Sequence, residues 1–300
     1  MKNKLFSGVM PALVTPFDSE GALKEAAAQR LIQWELSHDI QGFYINGATG
    51  EGLFLPEETR RQMAEIAVSL CKGRGVVINH VGAVDPAQAL RLARHAGQAG
   101  CSAISSMAPN YLTTYTDDQV LDYYKRLADA ASLPVLVYCT GLLKGDPVRF
   151  MEKAMGVEGI VGLKYTLPNY YNLQRITQLN HGDINVINGP DEMLVLGLFM
   201  GADGGIGSTY NLMPGWFADL YAAFRRGEIW KAREIQLRIN KVIAVLLEYG
   251  CIPAIKEGLS LLGFDPGQVA YPGKRFSEAE RAAFRREMEQ AGYSFERAQA

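Results

Sequence analysis

The sequence predicts an α/β protein, a (β/α)8 TIM barrel with a C-terminal helical appendage. Three observations carry that prediction. Short apolar runs bounded by Gly, Pro or Asn alternate with segments of helical period, and eight such runs occur before residue 213. The length of 300 residues is large for one core, yet barrels of this kind reach it as a single domain. After Pro214 the pattern turns entirely helical. The expected organisation is a barrel over residues 1–213 and helices over 214–300 packed on it, together one structural unit.

Each element has its own signal. Gly8 to Val14 is apolar and stopped by Thr15-Pro16, which reads as a buried strand, and Leu23 to Ser37 repeats apolar residues at helical spacing. Gly42 to Asn46 forms the second strand, and Pro56 opens a helix to Cys71, a proline in the first turn wasting no hydrogen bond. Val76 to Val81 is the third strand. Asp85 to Gln88 has the form of a helix cap, as does Thr116 to Gln119 before a helix to about Ala131. Between them Ala103 to Met107 is the fourth strand. Pro134 to Tyr138, Ile160 to Lys164, Asn185 to Asn188 and the glycine-rich Gly204 to Ser208 complete the eight. Their helices are read over Val148 to Met155, Tyr170 to Asn180 and Glu192 to Met200. Beyond them lie Trp216 to Arg226, Glu228 to Tyr249, Pro253 to Leu262, and Glu278 to Ala291 with its Ser277 cap.

Composition bounds the function. Hydrophobic residues make 48% and charged residues 21%, as in ordinary globular proteins. A formal net charge of −2, with no Lys/Arg run longer than two, argues against a nucleic-acid surface. The N-terminus lacks the apolar segment of a signal peptide, and no stretch approaches the roughly 18 apolar residues of a membrane span. Cys71, Cys101, Cys139 and Cys251 show no pairing pattern, and His38, His80, His95 and His181 no metal-ligand spacing. The expectation is a reduced, cytoplasmic protein with no metal and no cofactor, acting on a small molecule.

In such a barrel the active site lies at the carboxyl ends of the strands. That rule selects Ala48 and Thr49, Tyr111, Tyr138, Lys164 and Thr166, Asp191 and Glu192, and Ser208 and Tyr210. Lys164 ends the run Ile160-Val-Gly-Leu-Lys164. A buried amine loses solvation, which favours its neutral form, and a neutral lysine attacks carbonyls to form an imine. A lysine that merely closes a strand and snorkels to solvent is the alternative. An imine that breaks a carbon–carbon bond needs a proton carrier, which a tyrosine hydroxyl provides. It also needs an anion clamp, which the amides of the turn Gly47-Ala48-Thr49-Gly50 can supply. Tyr138 alone also fits an aromatic capping the core. Asp191-Glu192 also fits an acidic helix start favoured by the helix dipole.

Gly47-Ala-Thr-Gly-Glu-Gly52, Tyr138, Gly162-Leu-Lys164 and Gly201-Ala-Asp-Gly-Gly-Ile-Gly-Ser208 together resemble the N-acetylneuraminate lyase and dihydrodipicolinate synthase superfamily of class I aldolases. The resemblance runs from about Leu5 to Leu262, and it is the combination that is specific. It implies Lys164 as the Schiff-base lysine for pyruvate or a related 2-oxo acid, and Tyr138 as the proton shuttle. It also implies the Ala48-Thr49 turn as the carboxylate pocket, and a homotetramer built as a dimer of dimers. Tyr111 falls where a tyrosine reaching in from the neighbouring subunit is expected.

Dihydrodipicolinate synthases carry an arginine five residues after the tyrosine, and Leu143 stands there. Leucine cannot reproduce arginine's bidentate grip. The sialic acid lyase branch is resembled more closely. By position Thr166, Gly189, Asp191, Glu192 and Ser208 would bind the hydroxyls of a sugar acid, carboxylates accepting several O–H donors. The expected reaction is cleavage of N-acetylneuraminate, or a related 2-oxo sugar acid, to pyruvate and an aldose. The alternatives are a 2-keto-3-deoxy sugar acid aldolase, a dihydrodipicolinate synthase-like enzyme, and a binder of 2-oxo acids without turnover. Ala48 is a departure, since the family turn has Ser or Thr there as part of a hydroxyl relay. Its loss would cost on the order of tenfold or more. Cys139-Thr140-Gly141 and the loop Ser106 to Tyr111 depart as well.

Overall fold

The computed structural model describes residues 4–296. Among these, eight parallel strands form one sheet: β1 (Gly8–Pro11), β2 (Gly42–Ile45), β3 (Val76–His80), β4 (Ala103–Met107), β5 (Val135–Cys139), β6 (Ile160–Tyr165), β7 (Asn185–Asn188) and β8 (Gly204–Gly207). They bond in the order β1-β8-β7-β6-β5-β4-β3-β2. A parallel bridge between Ala12 and Tyr44 closes the ring, helped by the Leu13 N–H donating to the Tyr44 carbonyl at 2.9 Å. This is the predicted (β/α)8 barrel.

The strands alternate with α1 (Glu25–Glu35), α2 (Glu57–Cys71), α3 (Pro86–Ala99), α4 (Asp117–Ala131), α5 (Pro147–Ala154), α6 (Tyr170–Thr177) and α7 (Leu194–Phe199). After β8 come α8 (Pro214–Arg225), α9 (Ile229–Tyr249), α10 (Cys251–Leu261) and α11 (Glu278–Gln290). Strand alternation sorts the side chains into two shells. Met10, Tyr44, Ile78, Leu136, Tyr138, Ile187 and Ile206 pack inside the barrel, while Val9, Phe43, Val137, Leu163 and Val186 face the helices. The capping boxes of α4 (Thr116 with Gln119) and α11 (Ser277 with Glu280) are both reciprocal.

Three of the boundaries that differ from the sequence reading bear on the strand ends. The sixth helix stops at Thr177 rather than Asn180, because Asn180 and His181 turn left-handed, at φ 49° and 55°, inside a separate 3₁₀ turn. The seventh begins as a 3₁₀ turn over Asp191–Met193, which swings Asp191 toward β8 before α7 proper starts at Leu194. Strand β1 ends at Pro11, and just beyond it the Ala12 N–H still donates to the Gly207 carbonyl of β8 at 2.8 Å while Ala12 bridges Tyr44.

Glu35 stands out in the outer core. It continues the buried stripe Ala28, Leu31, Ile32 of α1, is 0% exposed, and neither carboxyl oxygen has a hydrogen-bond partner. Burial pushes its pKa well above the usual carboxylate value, so the folded chain holds it protonated. The unfolded chain ionises first as pH rises, and stability therefore falls with pH between the two pKa values by up to about 1.4 kcal/mol per unit. Glu35→Gln is expected to remove that loss. Thermal melts of variant and wild type should nearly coincide near pH 4 and separate toward pH 8, with the variant the more stable. Parallel curves across that range would show that Glu35 does not titrate as described.

Candidate active site

The register of β5 and β6 pairs Tyr138 directly with Lys164, so the two inward side chains emerge at the same level of the barrel. Lys164 is only 5% exposed. Its Nζ lies 4.4 Å from the centre of the Tyr138 ring and 4.5 Å from that of Tyr44, on β2. Those rings meet edge to face at 76° with centroids 5.8 Å apart. Tyr44 donates its hydroxyl to Ser105 Oγ at 3.2 Å, and burial, followed by the nearby Tyr138, holds that phenol protonated.

Beyond β2 the chain makes the Gly47–Gly52 turn, with Asn46 and Glu51 left-handed at φ 58° and 56°. The Glu51 carboxylate pins the turn to the C-terminal helices. Its Oε1 pairs with Lys256 of α10 at 2.8 Å, and its Oε2 accepts from the Ala270 N–H at 2.6 Å. Ala48 is exposed and contributes no hydroxyl. Thr49 is buried, and its Oγ1 lies 2.7 Å from Ser208 Oγ, tying the β2 loop to the end of β8.

Thr166, Gly189, Asp191 and Ser208 converge at the ends of β6, β7 and β8. Gly189 donates its N–H to Tyr165 at 2.8 Å, and a Cβ there would come 2.2 Å from Thr166 Oγ1. That close approach requires glycine. It leaves Thr166 Oγ1 a buried hydroxyl with no partner. Asp191 is buried, and its Oδ2 accepts both the backbone N–H and the hydroxyl of Thr209 at 2.7 Å. Burial raises its pKa to about 6, against the lowering effect of the Thr209 bonds and of the more distant Lys164. A Cβ at Gly207 would fall 2.1 Å from Asp191 Oδ1, so β8 must present glycine beside this carboxylate. Glu192 is exposed. Tyr111 packs on the interior cluster of its own barrel, and its buried hydroxyl has no partner. Tyr210 stacks on Phe217 of α8 at 3.7 Å, and its ring lies behind Gly207, where a Cβ would meet it at 2.3 Å.

Two positions that an arginine or lysine could serve are closed. Leu143 is buried in the outer core, and Lys144 donates its amine to the Gly141 carbonyl of its own loop at 2.8 Å.

The sequence reading missed Tyr44, His80 and Arg60. His80 ends β3 with its ring edge-on to Tyr138 at 6.0 Å. Burial, with the Arg60 cation adding to it, lowers the His80 pKa to about 3, so the ring is neutral. Its Nε2 accepts from the Met107 N–H at 3.3 Å, which assigns the proton to Nδ1. Arg60 is fully buried on α2 and donates from Nη2 to the carbonyls of His80 (2.8 Å) and Gly82 (3.1 Å), fixing the end of β3. An arginine interrupting the buried stripe Met63, Ala64, Ala67, Cys71 was its one signal in the sequence.

Comparison with other proteins adds three findings. The profile of the Dihydrodipicolinate synthetase family matches residues 5–291. The N-acetylneuraminate lyase of Escherichia coli K12 is 36% identical over 255 residues, 84% of this chain and 85% of that protein. Among solved structures, the N-acetylneuraminate lyase of Proteus mirabilis superposes with a TM-score of 0.91 at 28% identity, covering 97% of this chain and 100% of that one. The enzyme of Aliivibrio salmonicida, described as a sialic acid aldolase, gives 0.91 at 27% identity, covering 97% and 99%.

Proposed function

The chain belongs to the dihydrodipicolinate synthetase family, and from that membership we propose a class I aldolase, a carbon–carbon lyase that cleaves N-acetylneuraminate or a closely related 2-oxo sugar acid to pyruvate and an aldose. The observation that carries the reading is Lys164 itself, an amine buried at the mouth of the barrel in register with a tyrosine.

The lone pair of Lys164 Nζ attacks the C2 ketone of the open-chain sugar acid. Protons move onto the former carbonyl oxygen, water leaves, and an iminium remains. When the C3–C4 bond breaks, its electron pair moves into the iminium to give an enamine. The C4 hydroxyl loses its proton and becomes an aldehyde. The Tyr138 hydroxyl shuttles that proton, accepting it while handing on its own. A proton returns to C3, and water hydrolyses the iminium to pyruvate and free Lys164. The Ala48-Thr49 turn serves the substrate carboxylate. Thr166, Gly189, Asp191, Glu192 and Ser208 serve the polyol, and the orphaned Thr166 hydroxyl supports that role. The buried Leu143 gives no support to a dihydrodipicolinate synthase reaction.

The reading extends to a cytoplasmic homotetramer, a dimer of dimers, in which residues 1–213 and 214–300 work as one unit and Tyr111 of each chain joins the relay of a neighbouring subunit. Exposed apolar side chains on the mouth loops, Phe54 at 73% and Leu112 at 88%, favour such assembly. Among the described residues no helix is long and apolar enough to cross a membrane.

Incubation with pyruvate and borohydride tests the proposal, the expected product being a reduced adduct mapped to Lys164 by mass spectrometry. An unmodified Lys164 would sink it. Asp191 supplies a second prediction. Its carboxylate is charged above pH about 6 and neutral below. KM for the sugar acid should therefore rise several-fold as pH falls from 7 to 5, while trapping of pyruvate alone holds steady. Asp191→Asn should flatten the KM profile. A wild-type KM independent of pH over this range would refute the contact.

A further inference from the structure

We infer that Tyr44 is a catalytic residue of this site, its ring and that of Tyr138 together stabilising the positive charge of the lysine nitrogen once the iminium has formed. The inference rests on Lys164 being the Schiff-base lysine and goes beyond that reading by saying what keeps the intermediate charged.

The geometry is specific. Two ring faces approach Nζ at 4.5 and 4.4 Å, within the roughly 6 Å over which a cation is drawn to an aromatic quadrupole. Among the described residues no carboxylate forms an ion pair with Lys164. Asp191, the acid that feels its charge, commits one oxygen to Thr209. A cation in this buried place is thus stabilised by rings rather than by a counter-ion. That difference suits an electron sink. A carboxylate in contact would damp the pull of the iminium on the breaking bond, whereas a quadrupole favours the protonated form only modestly.

Tyr44 is built for the task. Its hydroxyl is anchored on Ser105, and Gly47 leaves room for its edge, where a Cβ would come 2.5 Å from the ring. Its phenol stays protonated through burial, so the ring is neutral, and the neighbouring His80 is neutral as well. The groups facing the nitrogen are then Tyr44 from β2, His80 from β3, Tyr138 from β5 and Asp191 from the loop after β7. Neither Tyr44 nor His80 adds a competing charge.

The test uses pyruvate and borohydride on the full chain, with the rate of adduct formation on Lys164 followed from pH 6 to 10. At position 44, phenylalanine and its mono- and trifluorinated analogues weaken the quadrupole stepwise with little change in shape, and Tyr44→Leu removes it. Phenylalanine should keep the alkaline fall of trapping where the wild type has it. The fluorinated rings and leucine should move that fall to lower pH, by about half a unit to one and a half units in all. An unshifted fall across the fluorinated series would overturn the inference, even if Tyr44→Leu proved unable to fold. A shift for Tyr44→Phe as large as for the trifluorinated ring would overturn it too, placing the effect on the hydroxyl and Ser105. Wild-type protein that forms no adduct would instead remove the lysine assignment beneath it, so the two failures are distinguishable.

Discussion

Lys164→Arg is expected to abolish cleavage, lowering kcat on the order of 10⁴-fold or more, as loss of a covalent nucleophile does elsewhere. Arginine is the informative replacement. It is a long cationic side chain that can reach between the two tyrosine rings, yet its guanidinium does not deprotonate and cannot form an imine. Loss of rate with a retained melting temperature would assign the effect to chemistry. The variant should also show no borohydride-dependent adduct with pyruvate. Residual cleavage within tenfold of wild type would mean that the carbon–carbon bond is broken without a lysine imine, whatever family the chain belongs to.

The barrel was legible because each β/α unit announces itself locally, through an apolar run, a turn and a capped helix. The pairing of Tyr138 with Lys164 was legible for a related reason, since adjacent parallel strands bring their carboxyl ends to one rim. Contacts between distant loops were not. Thr49 and Ser208 are 159 residues apart and meet only because β2 and β8 both flank β1 at the closure of the ring. Tyr44 was hidden differently, inside an apolar strand where an aromatic residue needs no special explanation, and only the closed barrel aims its face at Lys164. Glu35 and Arg60 left visible marks as charges on buried helical stripes. What each charge meets there is set by neighbouring elements, carbonyls for Arg60 and no partner for Glu35. Of the residues picked by the strand-end rule, Thr166, Asp191 and Ser208 lie at neighbouring strand ends, whereas Tyr210 stacks on Phe217 of α8.

Tyr138→Phe separates the proton carrier from the aromatic wall. Phenylalanine retains the ring 4.4 Å from Lys164 and its edge contacts with Tyr44 and His80, and it removes only the hydroxyl. Iminium formation from pyruvate should therefore survive, with trapping on Lys164 close to wild type. Turnover of the sugar acid should fall by about 10²–10⁴-fold, the usual worth of a positioned acid–base group. The surroundings explain why the loss should be large. Ala48 offers no hydroxyl, Tyr44 has committed its own to Ser105, and His80 takes the Met107 N–H on the nitrogen that could accept a proton. Tyr111 keeps a buried hydroxyl without a partner, and burial holds that phenol protonated. Among the described residues no other hydroxyl with a free proton is seen to pack on Lys164. A Tyr138→Phe enzyme that trapped pyruvate normally and still turned over within threefold of wild type would move the proton transfer to another residue. One that lost trapping as completely as turnover would make Tyr138 part of imine formation rather than of bond cleavage.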